Sequence, residues 1–250
     1  MSDLLLIDGF HATPQRFLWH SASGTAILSD VHLGIEAVMA AQGMSLPPMG
    51  MPALRAAWRA MVDRLWASTV GRRVVIAGDF FDAPAPDQAA IPLARGLLSE
   101  LPSATAVTFV RGNHDPSPAA LAEIFEGMNV DVQEFCEVGG YRVLHGHSSF
   151  ASASSGFIVG HQHPSVVLRA RVQSAKMICY AVCTVWSGKE RVPMVLLPAF
   201  SRASLGSNLL TERHWILDLP RPANRDIRIA GIVERGEEGQ VLDFGTLADL

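Results

Sequence analysis

The chain has 250 residues, of which 49% are hydrophobic and 18% charged, enough to bury a large core and too apolar for extended disorder. Its formal net charge of −4 excludes a polycation that binds DNA or membranes by bulk charge alone. The three cysteines, Cys136, Cys179 and Cys183, are odd in number and too sparse for a disulfide framework, so they are expected as buried thiols.

At the N-terminus the apolar run 4–7 lacks a basic flank and is cut short by Asp8, which argues against a signal peptide. The apolar run at 177–186 is about half a bilayer span. A cytoplasmic protein without a membrane partner is expected. Strands are expected at 25–29, 73–77 and 105–110. Between and after them, helices are expected at 53–68, 87–101 and 118–125. The first helix carries a core stripe of Leu54, Trp58, Met61 and Leu65 at helical spacing. Beyond residue 128 the pattern turns to strands, at 130–132, 141–144, 157–159, 166–172, 178–185 and 194–197. Residues 151–156 read as a short loop. In the tail, strands are expected at 215–217 and 227–233, and turns at 221–225 and 234–239. The fold class is α/β, as a single domain over 1–250. Its motif-bearing core spans about 25–200, and 211–250 extend it.

Nine histidines draw attention to metal and proton chemistry. Polar clusters follow the strands: Asp30-Val31-His32, Gly78-Asp79-Phe80-Phe81-Asp82, Gly112-Asn113-His114-Asp115, His145-Gly146-His147 and Gly160-His161-Gln162-His163. Each is unremarkable alone, but all five in this order put carboxylates, imidazoles and an amide where α/β proteins bind ligands. On extended backbone, residues i and i+2 point the same way. Asp30 with His32, and His161 with His163, are therefore each expected to aim at one place. Carboxylate and imidazole without thiolate suit Mn²⁺, Fe or Zn²⁺ better than Ca²⁺.

These motifs resemble the calcineurin-like metallophosphoesterases. The resemblance implies a four-layer α/β/β/α sandwich with two mixed sheets and two divalent metal ions, Mn²⁺ first, with Fe or Zn²⁺ as alternatives. It implies one ion on Asp30, His32, Asp79 and His163, and another on Asp79, Asn113, His145 and His161, with Asp79 bridging. A bridging water would then attack phosphorus in line. His114 would act as the catalytic acid on the leaving oxygen, oriented by Asp115. Asp82 and His147 would stand behind or beside the ligands. The stretch 46–48, the Gly160–Pro164 motif and the late Leu197-Pro198-Ala199-Phe200 look like the DNA ligase-associated branch. That branch implies a phosphodiesterase or nuclease, and association with a DNA ligase or helicase.

Residues 164–213 hold seven basic and two acidic side chains, a local charge of +5. Arg169 and Arg171 either form a basic rim for a phosphate backbone or belong to a solvated sheet face. Arg111 is either a phosphate contact or a structural ion pair. His11, His20 and His214 are read as surface or structural, and Phe80-Phe81 as core packing. The leading substrate is DNA or a nucleotide diester. A small-molecule or protein phosphomonoesterase is the enzyme alternative, and a non-catalytic scaffold the alternative from another class.

Overall fold

The computed structural model describes residues 2–44, 50–148, 155–169, 173–204, 206–212, 220–235 and 238–250. The stretch 46–48, Arg171, Arg213, His214, most of the 151–156 loop and the strand expected at 215–217 lie outside the described residues.

Short runs of apolar residues build the first sheet. Leu4–Ile7 (β1), Phe10–Ala12 (β2), Leu18–His20 (β3) and Thr25–Leu28 (β4) pair antiparallel in succession. Arg73–Ala77 (β5), Ala106–Val110 (β6) and Val130–Gln133 (β7) then extend it in parallel from β4. Parallel neighbours need crossovers, and four helices among the described residues lie on them: Ile35–Ala41 (α1), Gly50–Ala67 (α2), Ala90–Ser99 (α3) and Pro118–Ile124 (α4). Helix α4 starts where Ser117 accepts the Ala120 N–H at 3.3 Å, with a proline in its first turn, both ordinary start signals.

Side-chain alternation gives the first sheet two buried faces. Ala26, Leu28, Val74 and Ile76 pack against the helices with Trp58, Phe80, Phe81 and Phe109. Trp58 is fully buried and its indole N–H reaches Leu97 O at 3.0 Å. The four stripe residues expected of α2 are all buried. The intervening Ile27, Val75 and Ala77 face the second sheet.

That second sheet is mixed and holds nine strands among the described residues. They are Cys136–Val138 (β8), Tyr141–Leu144 (β9), Gly156–Val159 (β10), Pro164–Arg169 (β11), Ser174–Ser187 (β12), Glu190–Leu196 (β13), Ser207–Asn208 (β14), Arg228–Arg235 (β15) and Glu238–Thr246 (β16). The order is β14-β11-β12-β13-β10-β9-β8, with β15 on β12 and β16 on β15. Val143, Ile158, Tyr180 and Val195 meet the first sheet. Their neighbours Phe157, Val159, Cys179 and Ala181 face outward under Leu209, Ile227 and Leu247. The cover on that outer face comes from C-terminal segments with two short 3₁₀ turns at Asn224–Asp226 and Leu247–Asp249. All three cysteines are buried thiols, and burial pushes Cys136 up to about 11 and Cys183 up to about 12.

The mixed α/β sandwich with two sheets is the fold class that the motifs imply. Strands β4, β5, β6, β9 and β10 each run directly into one of the five polar clusters. No helix among the described residues is long and apolar enough to cross a membrane.

Candidate metal centre

The loops after β4 and β5 are zipped together by backbone bonds. Asp30 N donates to Gly78 O at 3.0 Å, His32 N to Asp79 O at 3.0 Å and Leu33 N to Phe80 O at 2.9 Å. Asp30, His32, Asp79, His161 and His163 have φ of 58°, 51°, 50°, 62° and 45°. These left-handed values are uncommon for residues with a Cβ and cluster at functional sites. They correct the extended geometry expected for Asp30/His32 and His161/His163. The second pair in fact divides, with His163 joining Asp30 and His161 joining Asp79.

The first group is Asp30, His32 and His163. Asp30 Oδ1 lies 2.7 Å from His163 Nε2, and the two imidazole Nε2 atoms are 3.4 Å apart. The outer nitrogens are occupied. His32 Nδ1 meets Asp82 Oδ1 at 2.8 Å, and His163 Nδ1 meets the Ser204 hydroxyl at 2.6 Å. The second group is Asp79, His145 and His161. His145 Nε2 stands 3.1 Å from Asp79 Oδ2, 3.1 Å from Asn113 Oδ1 and 3.2 Å from His161 Nδ1. The groups adjoin, for the His161 N–H donates to both Asp30 oxygens at 3.2 and 3.1 Å.

This donor set fits a metal. A carbonyl only accepts, so His145 Nδ1, 3.0 Å from Ala77 O, carries the proton. In the neutral ring Nε2 is then a bare lone pair facing two more acceptors, Asp79 Oδ2 and Asn113 Oδ1, with His161 Nδ1 beside them. Such convergence is stable only around a proton or a cation. The arrangement of imidazole, carboxylate or carbonyl behind the ring, and inward lone pair is that of metal-binding histidines.

Electrostatics point the same way. Burial alone would raise the Asp30 carboxyl, but the charge and hydrogen bond of His163, then His145 and His32, hold it well below the usual carboxylate range. Asp79 is likewise lowered against burial, chiefly by His145. Burial opposes charging His145, yet Asp79 and Asp30 push it up to about 9. His161 falls to about 4 through burial and the neighbouring His145 charge.

The remaining expected residues separate clearly. Asp115 does not orient His114: among its described contacts, the buried carboxylate accepts Asp79 N at 2.8 Å, Gly112 N at 2.8 Å and Phe81 N at 3.0 Å. It staples the two loops and leaves the ring alone, because three backbone donors converge on it. The His114 ring is held by Asp82, whose carbonyl meets Nδ1 at 3.0 Å. Asp82 thus anchors His32 by its side chain and His114 by its backbone. A Cβ at Gly112 would overlap the Asp79 carboxylate, which explains the glycine there. His147 lies at the edge, its ring 5.4 Å from His145 and 6.5 Å from His161. Arg111 pairs with Glu134 at 3.3 Å. Arg169 ends β11, about 20 Å along the strand from His163 at ~3.3 Å per residue. Sequence reasoning missed Ser204. A serine in a loop carries no spacing signal, and only the folded register brings it to His163.

Residues 25–176 match the family model described as calcineurin-like phosphoesterase. Among solved structures, the crystal structure of Pseudomonas putida nuclease MPE aligns with a TM-score of 0.56 at 21% identity, covering 89% of this chain and 91% of that one. That level of identity bears on the fold. No curated protein matches the chain significantly.

Proposed function

Because the chain belongs to the calcineurin-like phosphoesterase family, and is thereby a metal-dependent hydrolase of phosphate esters, we propose that it uses two divalent ions to cleave phosphodiesters of nucleic acids or nucleotides. The observation that carries this reading is the pair of adjoining ligand groups, Asp30/His32/His163 and Asp79/His145/His161. Asp79 would serve both ions, and Asn113 would complete the second set. When bound, divalent ions supply Lewis acidity, which offsets phosphate charge and acidifies water. Mn²⁺ is the first choice, with Fe or Zn²⁺ as alternatives.

The chain's own residues supply the rest. Asp82 and Ala77 O hold the His32 and His145 rings with their inner nitrogens turned into the two ligand groups. His114, whose Nδ1–H donates to Asp82 O, keeps Nε2 for the leaving oxygen; the charged ring carries a second proton on Nε2, delivers it there and is left neutral. Asp115 keeps the two loops in register beneath it.

Two things support a nucleic-acid substrate: the nuclease named in the structural match and the resemblance to the DNA ligase-associated branch. A ligase or helicase partner is part of the same reading. The test is a panel of single-stranded DNA, a nucleotide diester and a monoester with Mn²⁺. Faster turnover of diesters supports the proposal. Turnover of monoesters alone assigns a phosphomonoesterase.

A further inference from the structure

We propose that Ser204 is a positioning residue for His163 and that the C-terminal hairpin holds it in place. The inference rests on the two-ion reading above. It gives residues beyond the motif-bearing core a role in the site.

Ser204 Oγ is 2.6 Å from His163 Nδ1. The opposite ring nitrogen faces Asp30 Oδ1 at 2.7 Å. A hydroxyl that accepts from Nδ1–H leaves the Nε2 lone pair directed at the ligand group, and it fixes the plane of the ring. The hydroxyl can do this only if its loop is fixed, and the loop is fixed at several points. Phe200 N donates to Ser29 O at 2.9 Å and Ser201 N to Asp30 O at 3.1 Å. The carbonyls of Ser201 and Ala199 accept from one Arg16 nitrogen at 3.0 and 3.4 Å.

Arg16 is an unusual residue to find there. It is only 7% exposed, and its φ of 71° lies in the left-handed region. Burying a guanidinium is costly unless acceptors and an anion meet it. The anion is Glu234 of β15, 3.8 Å from Arg16 and 2.6 Å from Arg202. Glu234 therefore joins the residue beneath the loop to a residue within it. Arg202 stands two positions before Ser204, and Ala203 N closes the turn on Ser201 Oγ at 3.2 Å. The chain of contacts runs from hairpin through Glu234 and two arginines to the loop, then through Ser204 to His163.

The experiment measures Mn²⁺ binding calorimetrically to the chelator-stripped full chain, as wild type, Ser204→Ala and Glu234→Gln. Wild type is expected to bind two ions. Ser204→Ala is expected to weaken one of them about 10- to 100-fold and leave the other unchanged. Glu234→Gln is expected to weaken the same ion by a smaller factor. Wild-type affinities for both ions in Ser204→Ala overturn the proposal. A lowered melting temperature of metal-free Ser204→Ala, with both ions weakened equally, also overturns it, since that marks a merely structural serine. An unchanged Glu234→Gln removes the hairpin from the account. Fewer than two ions on wild type contradicts the two-ion reading itself, separately from the role of Ser204.

Discussion

Asp79 Oδ2 and His145 Nε2 stand 3.1 Å apart, while the other nitrogen of that ring is held by Ala77 O. Two acceptors at this distance need a proton or a cation between them. The metal-free site therefore stores protons that a metal must displace.

A first consequence concerns stability without metal. The folded His145 pKa of about 9 lies above the ordinary value of 6.5. Its stabilising contribution is present below pH 6.5 and is lost as pH rises through about 9. His163 is raised as well, with the same sign. The chelated protein should melt at a lower temperature at about pH 9 than at about pH 6.5. A melting temperature that does not fall across this window contradicts the assignment.

Metal uptake should release protons near neutral pH, because Asp79 and Asp30 push His145 up to about 9 and Asp30 raises His163 above its ordinary value. Titration with Mn²⁺ in buffers of different ionisation enthalpy reads the number released. Observed heats should change with buffer. Heats independent of buffer would mean that neither ring gives up a proton.

His114 is grouped with His32 and Asp82 as closely as the ligands are with one another, so its role needs separating from ligation. His114→Ala should keep both ions and lower kcat by about 10²- to 10⁴-fold. Metal content and turnover on the same preparation check this. Loss of an ion would make His114 a ligand.

Asp115 holds three backbone N–H groups in a buried place. Asp115→Ala leaves them without that acceptor and should cost about 3 kcal/mol or more in chemical denaturation. A stable variant with an altered pH profile of turnover would instead place Asp115 in contact with the function of His114.

The five polar clusters were legible because each follows a strand whose apolar run is plain, as in 73–77 before Asp79 and 141–144 before His145. Strands β1 to β3 were not legible. They are three or four residues long, as β4 and β9 are, but no polar cluster closes them to mark their ends. Helix α1 lacks a side-chain cap at its start, and β16 alternates weakly in a polar tail. Within the site, which side chains gather could be read from motif order, whereas their direction could not. Left-handed backbone at Asp30 and His163 arises from loop-to-loop bonds that no local pattern records. The same holds for Asp115, whose partners Asp79 and Phe81 come from another loop, and for Ser204.

The central claim is metal-dependent cleavage of a phosphodiester. It is tested most directly by following hydrolysis of a nucleotide diester by the purified chain before chelation, after chelation and after Mn²⁺ is restored. Turnover should disappear with the metal and return with it. A folded, Mn²⁺-loaded chain that does not hydrolyse this diester would contradict the account.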